Sequence, residues 1–203
     1  MEGEKSIPVA VVLVCGHAGA GKDTLADVFV RLADFELRKF ADPLYDMIAA
    51  GWGVPRDLLD IWKRQNALLP ATGVTVRHAL QTLGTEWGRQ MIHENVWSNI
   101  CAVRIDAAQN AYGDLFQQRF VISDLRFMNE LRIMRSRYQK RCIVIGVDRP
   151  NAEGRGMLHA SEQDIPMLLQ EADMVIRNEG SLQDLKETAR GFVELWHNNG
   201  FLV

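Results

Sequence analysis

Apolar residues run almost without interruption from Val9 to Cys15. A short β-branched run of this kind predicts a strand buried on both faces. The pattern then becomes helical from Lys22 to Leu32, and a second strand is read at Leu37–Phe40, ending at Ala41-Asp42-Pro43. Helical segments dominate from Leu44 to about Tyr112. Phe120–Ser123 reads as a third strand, Asn129–Tyr138 as a helix, Cys142–Val147 as a fourth strand and Met174–Ile176 as a fifth. Between the last two lies a polar, glycine-containing loop, Arg149 to Ser161. The final helix starts after Ser181, an N-cap with Asp184 three residues on, and its stripe Leu182, Leu185, Ala189, Phe192 and Trp196 is expected to face the core. Buried strands alternating with helices predict an α/β fold with three layers, a five-stranded, mostly parallel sheet flanked by helices. In such folds ligands gather beyond the carboxyl ends of the strands.

Composition changes this picture little. The chain has 203 residues, 47% hydrophobic and 24% charged, as expected of one globular domain. A net charge of −3 argues against coating a nucleic-acid polymer. Arginines outnumber lysines 17 to 6, which suits phosphate oxygens but serves surface ion pairs equally well. Cys15, Cys101 and Cys142 form no metal spacing and read as buried free thiols of a reducing compartment. No apolar run approaches membrane-spanning length, and MEGEKSIP has no signal-peptide pattern, so no membrane role and a cytoplasmic location are expected.

The strongest chemical signal follows the first strand. Gly16-His17-Ala18-Gly19-Ala20-Gly21-Lys22 fits G-x-x-x-x-G-K between a strand and a helix, the context a phosphate-binding P-loop requires. Its glycines let backbone N–H groups converge on phosphate oxygens, the helix N-terminus adds its positive end, and Lys22 reaches the β- and γ-phosphates. Asp23 stands where a serine or threonine usually touches Mg²⁺. Its carboxylate is read either as a hard oxygen ligand for the metal or as a stabiliser of the first helical turn. Thr24, one residue late, bonds phosphate or its own helix on this reading.

Further motifs resemble one family. Lys39-Phe40-Ala41-Asp42-Pro43-Leu44, Leu80-Gln81-Thr82-Leu83-Gly84-Thr85-Glu86-Trp87-Gly88-Arg89 and Val121-Ile122-Ser123-Asp124-Leu125-Arg126-Phe127-Met128-Asn129-Glu130, with His159-Ala160-Ser161-Glu162 and Asn178-Glu179-Gly180-Ser181, look like the phage-type deoxynucleoside monophosphate kinases. These are P-loop enzymes of the adenylate-kinase-like class. The resemblance covers nearly the whole chain in order, with two departures: Tyr45 where the family often has lysine, and Met128 where it commonly has proline.

The residues carry their own chemistry beside that resemblance. From Thr75, Val76, Leu80, Leu83, Trp87 and Met91 form an apolar stripe, while Arg77, Gln81, Thr85 and Arg89 step by four along an adjacent polar face. By itself this suits a solvated amphipathic helix; with the resemblance, Arg89 becomes the leading acceptor-phosphate ligand, followed by Arg77 and Gln81. Gly84 in the pattern costs roughly 1 kcal/mol relative to alanine and hints at a break or a close approach. Asp124 follows the third strand, where P-loop enzymes keep a Mg²⁺-side carboxylate, and Arg126 is placed to bridge donor and acceptor phosphates. The resemblance implies a lid at about 149–161 with Arg149 and Arg155 closing over the transferring group, an adenine-bordering Asn178 that is equally plain turn chemistry, and acceptor-side roles for Asp42 and Glu162, each of which also suits a helix start.

The chain is thus read as a single kinase domain, with a core at about 1–43 and 113–203 and a helical acceptor-binding insertion at about 44–112. The implied reaction is transfer of the ATP γ-phosphoryl group, with Mg²⁺, to a deoxynucleoside monophosphate. Its substrates are small molecules, and the reading admits a homodimer and, for a phage-encoded chain, the host cytoplasm. A dephospho-coenzyme A or phosphomevalonate type of acceptor, or an ATP-dependent switch, is the alternative.

Overall fold

In the computed structural model, residues 8–111, 118–150 and 163–202 are described. The element order is β1 (Val11–Cys15), α1 (Lys22–Ala33), β2 (Phe35–Arg38), α2 (Asp42–Trp52), α3 (Arg56–Arg64), α4 (Val76–Thr82), a π-helical stretch (Leu83–Ile92), α5 (Val96–Ala111), β3 (Arg119–Leu125), α6 (Met128–Tyr138), a 3₁₀ turn (Gln139–Arg141), β4 (Cys142–Asp148), α7 (Ile165–Gln170), β5 (Met174–Arg177) and α8 (Leu182–Asn198). The five strands form one sheet in the order β2-β3-β1-β4-β5. Every pairing is parallel.

Two compact units divide the chain: Met1–Lys39 with Arg104–Val203, and Phe40–Val103. The first holds the sheet. Residues Val11–Cys15 of β1 are buried throughout, as a central strand between two parallel neighbours requires. On one face α1 and α8 supply Leu25, Phe29, Leu185, Ala189, Val193 and Trp196 to the core. Phe29 meets Phe35 edge-on at 5.3 Å and Trp196 at 5.5 Å between ring centroids, geometry that adds to simple area burial. The second unit is helical and packs Leu44, Tyr45, Ile48, Leu59, Leu69, Val76, Leu80 and Trp97 together.

Several boundaries move from the sequence expectation. β2 lies at Phe35–Arg38 rather than Leu37–Phe40, because α1 ends on a left-handed Asp34 (φ 56°) and the buried Phe35 begins pairing at once. α2 starts at Asp42, with Pro43 in its first turn, where the missing N–H costs nothing. The helical run after Leu44 is broken by a left-handed Gly53 and by a bridge between Leu68 and Thr75. α7 escaped the sequence pattern, being six residues long with only Ile165 and Leu168 buried. In α8 the expected Leu182 is exposed and Val193 takes a core position instead. Among the described residues no helix is long and apolar enough to cross a membrane.

Candidate active site

The glycine loop leaves β1 at its carboxyl end and turns through positive φ at Gly16 (144°), Gly19 (73°) and Gly21 (107°). At Gly16 a Cβ would lie 2.3 Å from the Val147 carbonyl oxygen of β4, so only glycine lets the loop pass. Ala18 and Gly19, at the apex, are exposed. The N-cap residue of α1 is Gly21, which makes no side-chain cap bond, and the positive end of a helix favours an anion. Lys22 Nζ donates to the carbonyl oxygens of Gly16 and His17, 2.7 Å each, bracing the loop from within.

Two further contacts fix the loop. The buried Asn178 donates from Nδ2 to Ala20 O at 2.9 Å, and Arg149 Nη1 reaches Gly19 O at 3.4 Å. Asn178 therefore has a definite partner in the loop, whatever else it borders.

Asp23 opens α1 and is exposed. Its Oδ1 accepts from Ser123 Oγ at 2.8 Å and from Lys39 Nζ at 3.3 Å. Partial burial works against its charge, but the Lys39 ammonium, the Ser123 hydroxyl and Lys22 more than offset that and hold the carboxyl below its ordinary range. Asp124 is half-buried on β3, and the Arg126 side chain is exposed just beyond the strand. The turn into α6 is held by the buried Glu130, whose Oε2 accepts the N–H groups of Arg126 (3.0 Å) and Phe127 (3.2 Å). The Met128 N–H, which a proline would lack, donates to Asp164 Oδ2 at 2.8 Å.

In the helical unit, Thr75 caps α4 by accepting from the His78 N–H at 3.1 Å. The helix then widens into a π-helical stretch, with hydrogen bonds from i to i+5. That change of winding breaks the expected stripe: Val76 and Leu80 are buried, whereas Trp87 and Met91 are exposed. Gly84 and Gly88 face inward instead. The Trp97 indole donates to Gly84 O at 2.7 Å and lies where a Gly88 Cβ would be, 2.2 Å away. Arg77 and Gln81 are exposed on α4; Arg89, half-buried, donates to Glu94 O at 3.3 Å.

Asp42 pairs with Arg56, which also reaches Asp46 at 2.8 Å. Burial disfavours the Arg56 charge, but the two carboxylates hold its pKa above the ordinary value. Arg56 and Lys63 lie 5.6 and 5.4 Å from the centroid of the Tyr45 ring, and Lys63 Nζ donates to the Tyr45 hydroxyl at 2.8 Å. Arg155 and Glu162, both proposed from the sequence, lie outside the described residues.

A family model described as deoxynucleotide monophosphate kinase matches residues 59–189, well over half the chain. The chain belongs to the deoxynucleotide monophosphate kinase family. No curated protein matches the sequence. Among solved structures, the dephospho-CoA kinase from Campylobacter jejuni is similar at 18% identity, with a TM-score of 0.53 over 93% of this chain and 96% of that one. The shikimate kinase from Aquifex aeolicus vf5 is similar at 13% identity, with a TM-score of 0.50 over 93% and 97%. These likenesses establish the P-loop kinase fold, and with the family they make the protein a phosphotransferase of nucleotide or other small substrates.

In this deoxynucleotide monophosphate kinase family member, four polar residues make contacts that the sequence did not announce: Ser123 and Lys39 in the sheet unit, and Arg56 and Lys63 in the helical unit. The first two sit within the quoted motifs, yet their meeting with Asp23 spans 100 and 16 residues. Lys63 brings an ammonium from α3 to Tyr45, the position where the family often carries lysine.

Proposed function

We propose that the protein transfers the γ-phosphoryl group of ATP to a deoxynucleoside monophosphate. The observation that carries this reading is a formed P-loop, braced by Lys22, in a chain of the deoxynucleotide monophosphate kinase family. The loop amides and the N-terminus of α1 bind the donor phosphates, and Lys22 exchanges its loop carbonyls for phosphate oxygens. Arg126 and Arg149 neutralise charge on the transferring group, with Arg155 joining from the segment after β4. Arg89, Arg77, Gln81 and Asp42 bind the acceptor, and Glu162 serves its side as well. An acceptor phosphate is already ionised, so positioning and charge neutralisation replace a general base.

The donor set fits Mg²⁺. Asp23 and Asp124 offer hard carboxylate oxygens, and no cluster of three His, Cys, Asp or Glu forms among the described residues. Mg²⁺ is typically held by one or two carboxylates plus substrate phosphates rather than by a protein cage. When bound, it would offset phosphate charge during transfer.

The test is ADP release, coupled to an indicator reaction, over a panel of deoxynucleoside and nucleoside monophosphates, dephospho-coenzyme A and phosphomevalonate. Stimulation by one or more deoxynucleoside monophosphates is the expected result; stimulation only by another acceptor would replace the substrate. ATP binding with no acceptor-stimulated turnover would favour a switch. Lys22→Ala is expected to lower turnover by at least about a hundredfold, the scale of losing one preorganised electrostatic group.

A further inference from the structure

Ser123 is a serine at 2% exposure beside a phosphate loop, and its hydroxyl points at the carboxylate that replaced the loop's own hydroxyl. Its place on β3 is irregular. Leu13 pairs with Ile122, but Cys15 pairs with Leu125, so β3 carries one extra residue at Ser123–Asp124. A bulge of this kind re-aims side chains and is favoured next to active sites.

In P-loop enzymes Mg²⁺ is held by a serine or threonine hydroxyl after the loop lysine and by a carboxylate from a neighbouring strand. Here β3 keeps a carboxylate at Asp124, but the loop position after the lysine holds the carboxylate of Asp23 and a buried hydroxyl stands on β3 at Ser123, so these two groups lie on the opposite elements. We propose that they have exchanged places: Ser123 of β3 supplies the hydroxyl oxygen to Mg²⁺, and Asp23 of the loop supplies the carboxylate that accepts the hydroxyl's hydrogen. This rests on the kinase reading above and adds a metal-side residue to it.

The hydrogen-bond inventory supports the exchange. A serine hydroxyl has one hydrogen and two lone pairs. With the hydrogen committed to Asp23 Oδ1 at 2.8 Å, the lone pairs face away from the carboxylate, where a hard cation can use them. Donation to an ionised acceptor is charge-assisted and enriches the oxygen. Lys39 Nζ, just beyond β2, reaches the same Oδ1 at 3.3 Å, so donors from two separate parts of the chain hold the Asp23 carboxylate. A hydroxyl buried only for packing would show none of the metal linkage tested next.

The experiment is calorimetric titration with an ATP analogue that cannot be hydrolysed between its β- and γ-phosphates, with and without Mg²⁺. Thermal melting of every variant reports folding. The native protein is expected to bind more tightly with Mg²⁺. Ser123→Ala should lower that metal-dependent gain by about ten- to a hundredfold, the scale of losing a group that serves a metal site, and leave metal-free binding unchanged. Ser123→Thr should retain the gain. Asp23→Asn, a change at an exposed position, should reduce it as Ser123→Ala does. In Asp23→Ser the usual hydroxyl returns, and adding Ser123→Ala should then cost little. The exchange is overturned if Ser123→Ala keeps the full gain, loses metal-free and metal-dependent binding alike, or costs the same in the Asp23→Ser background. A native protein with no metal-dependent gain at all would sink the Mg²⁺ part of the kinase reading as well, which separates the two failures.

Discussion

At the scale of single residues, burial and partnering decide what each polar group can do. Asn178 is buried and spends its amide on Ala20 O, so it shapes the phosphate loop from below. Asn178→Ala leaves a loop carbonyl without that donor and is expected to cost about 1 kcal/mol of stability, the usual net worth of one hydrogen bond, while weakening binding of the ATP analogue. Asn178→Asp removes the donor and adds negative charge beside an anion site, so it should weaken binding more. Denaturant midpoints and calorimetry on the two variants separate the effects. The cysteines show the opposite extreme. Burial pushes the Cys15 and Cys142 thiols up to about 12, against a smaller opposing pull from Lys22 and Arg135 respectively. Thiolate is the reactive form, so neither should react with an alkylating reagent at pH 8 until the protein unfolds. Rapid labelling of both in the native state would contradict this burial.

At the scale of elements, local signals were legible where they act within a few residues. Ser181 and Asp184 were readable as a cap, and they form a reciprocal box, with the Asp184 N–H on Ser181 Oγ at 3.2 Å and the Ser181 N–H on Asp184 Oδ2 at 2.7 Å. Ser181→Ala should cost about 1 kcal/mol. The Ser181 N–H and hydroxyl also hold Asp184 below its ordinary pKa. A depressed carboxylate stabilises the fold above its unfolded pKa and loses that contribution as pH falls through the folded value. Asp184→Asn should therefore remove part of the stability loss seen on acidification below the usual carboxylate range. The π-helical stretch was not legible, because the side chain packed against its glycines comes from outside it. Nothing in Leu83–Ile92 alone announces that Trp97 will press against Gly84 and Gly88. Only Gly84 hinted at a close approach, and the hint was right in kind. Gly88→Ala would drive a Cβ into the indole, and overpacking of this sort costs about 1–3 kcal/mol. The expected result is a lower melting temperature, and an unchanged one would mean that the tryptophan is free to move aside.

At the scale of the whole molecule, the parallel sheet was legible from its continuous apolar runs, since strands buried on both faces need no alternation. The order β2-β3-β1-β4-β5 was not, because pairing partners are far apart in sequence. Yet that order is what holds the phosphate loop. The loop grows from β1, passes against the Val147 carbonyl of β4 and accepts Asn178 from just beyond β5, while Ser123 of β3 reaches Asp23 at the start of α1. Contacts at four strand ends thus fix one turn, and damage to the turn should be graded by which contact it breaks. Gly16 and Gly19 provide the comparison. Both have positive φ, but a Cβ at Gly19 meets nothing within 4 Å, whereas at Gly16 it meets backbone that cannot rotate away. Gly19→Ala should cost about 1–2 kcal/mol, the strain of a left-handed residue with a side chain, and keep measurable affinity for the ATP analogue. Gly16→Ala should displace the loop from β4 and abolish that affinity. Melting with and without the analogue reads both outcomes at once, because a ligand at a hundred times its Kd adds about 2.7 kcal/mol to the folded state. The rise in melting temperature should persist in Gly19→Ala and vanish in Gly16→Ala; equal rises in the two variants would mean that the sheet does not set the loop.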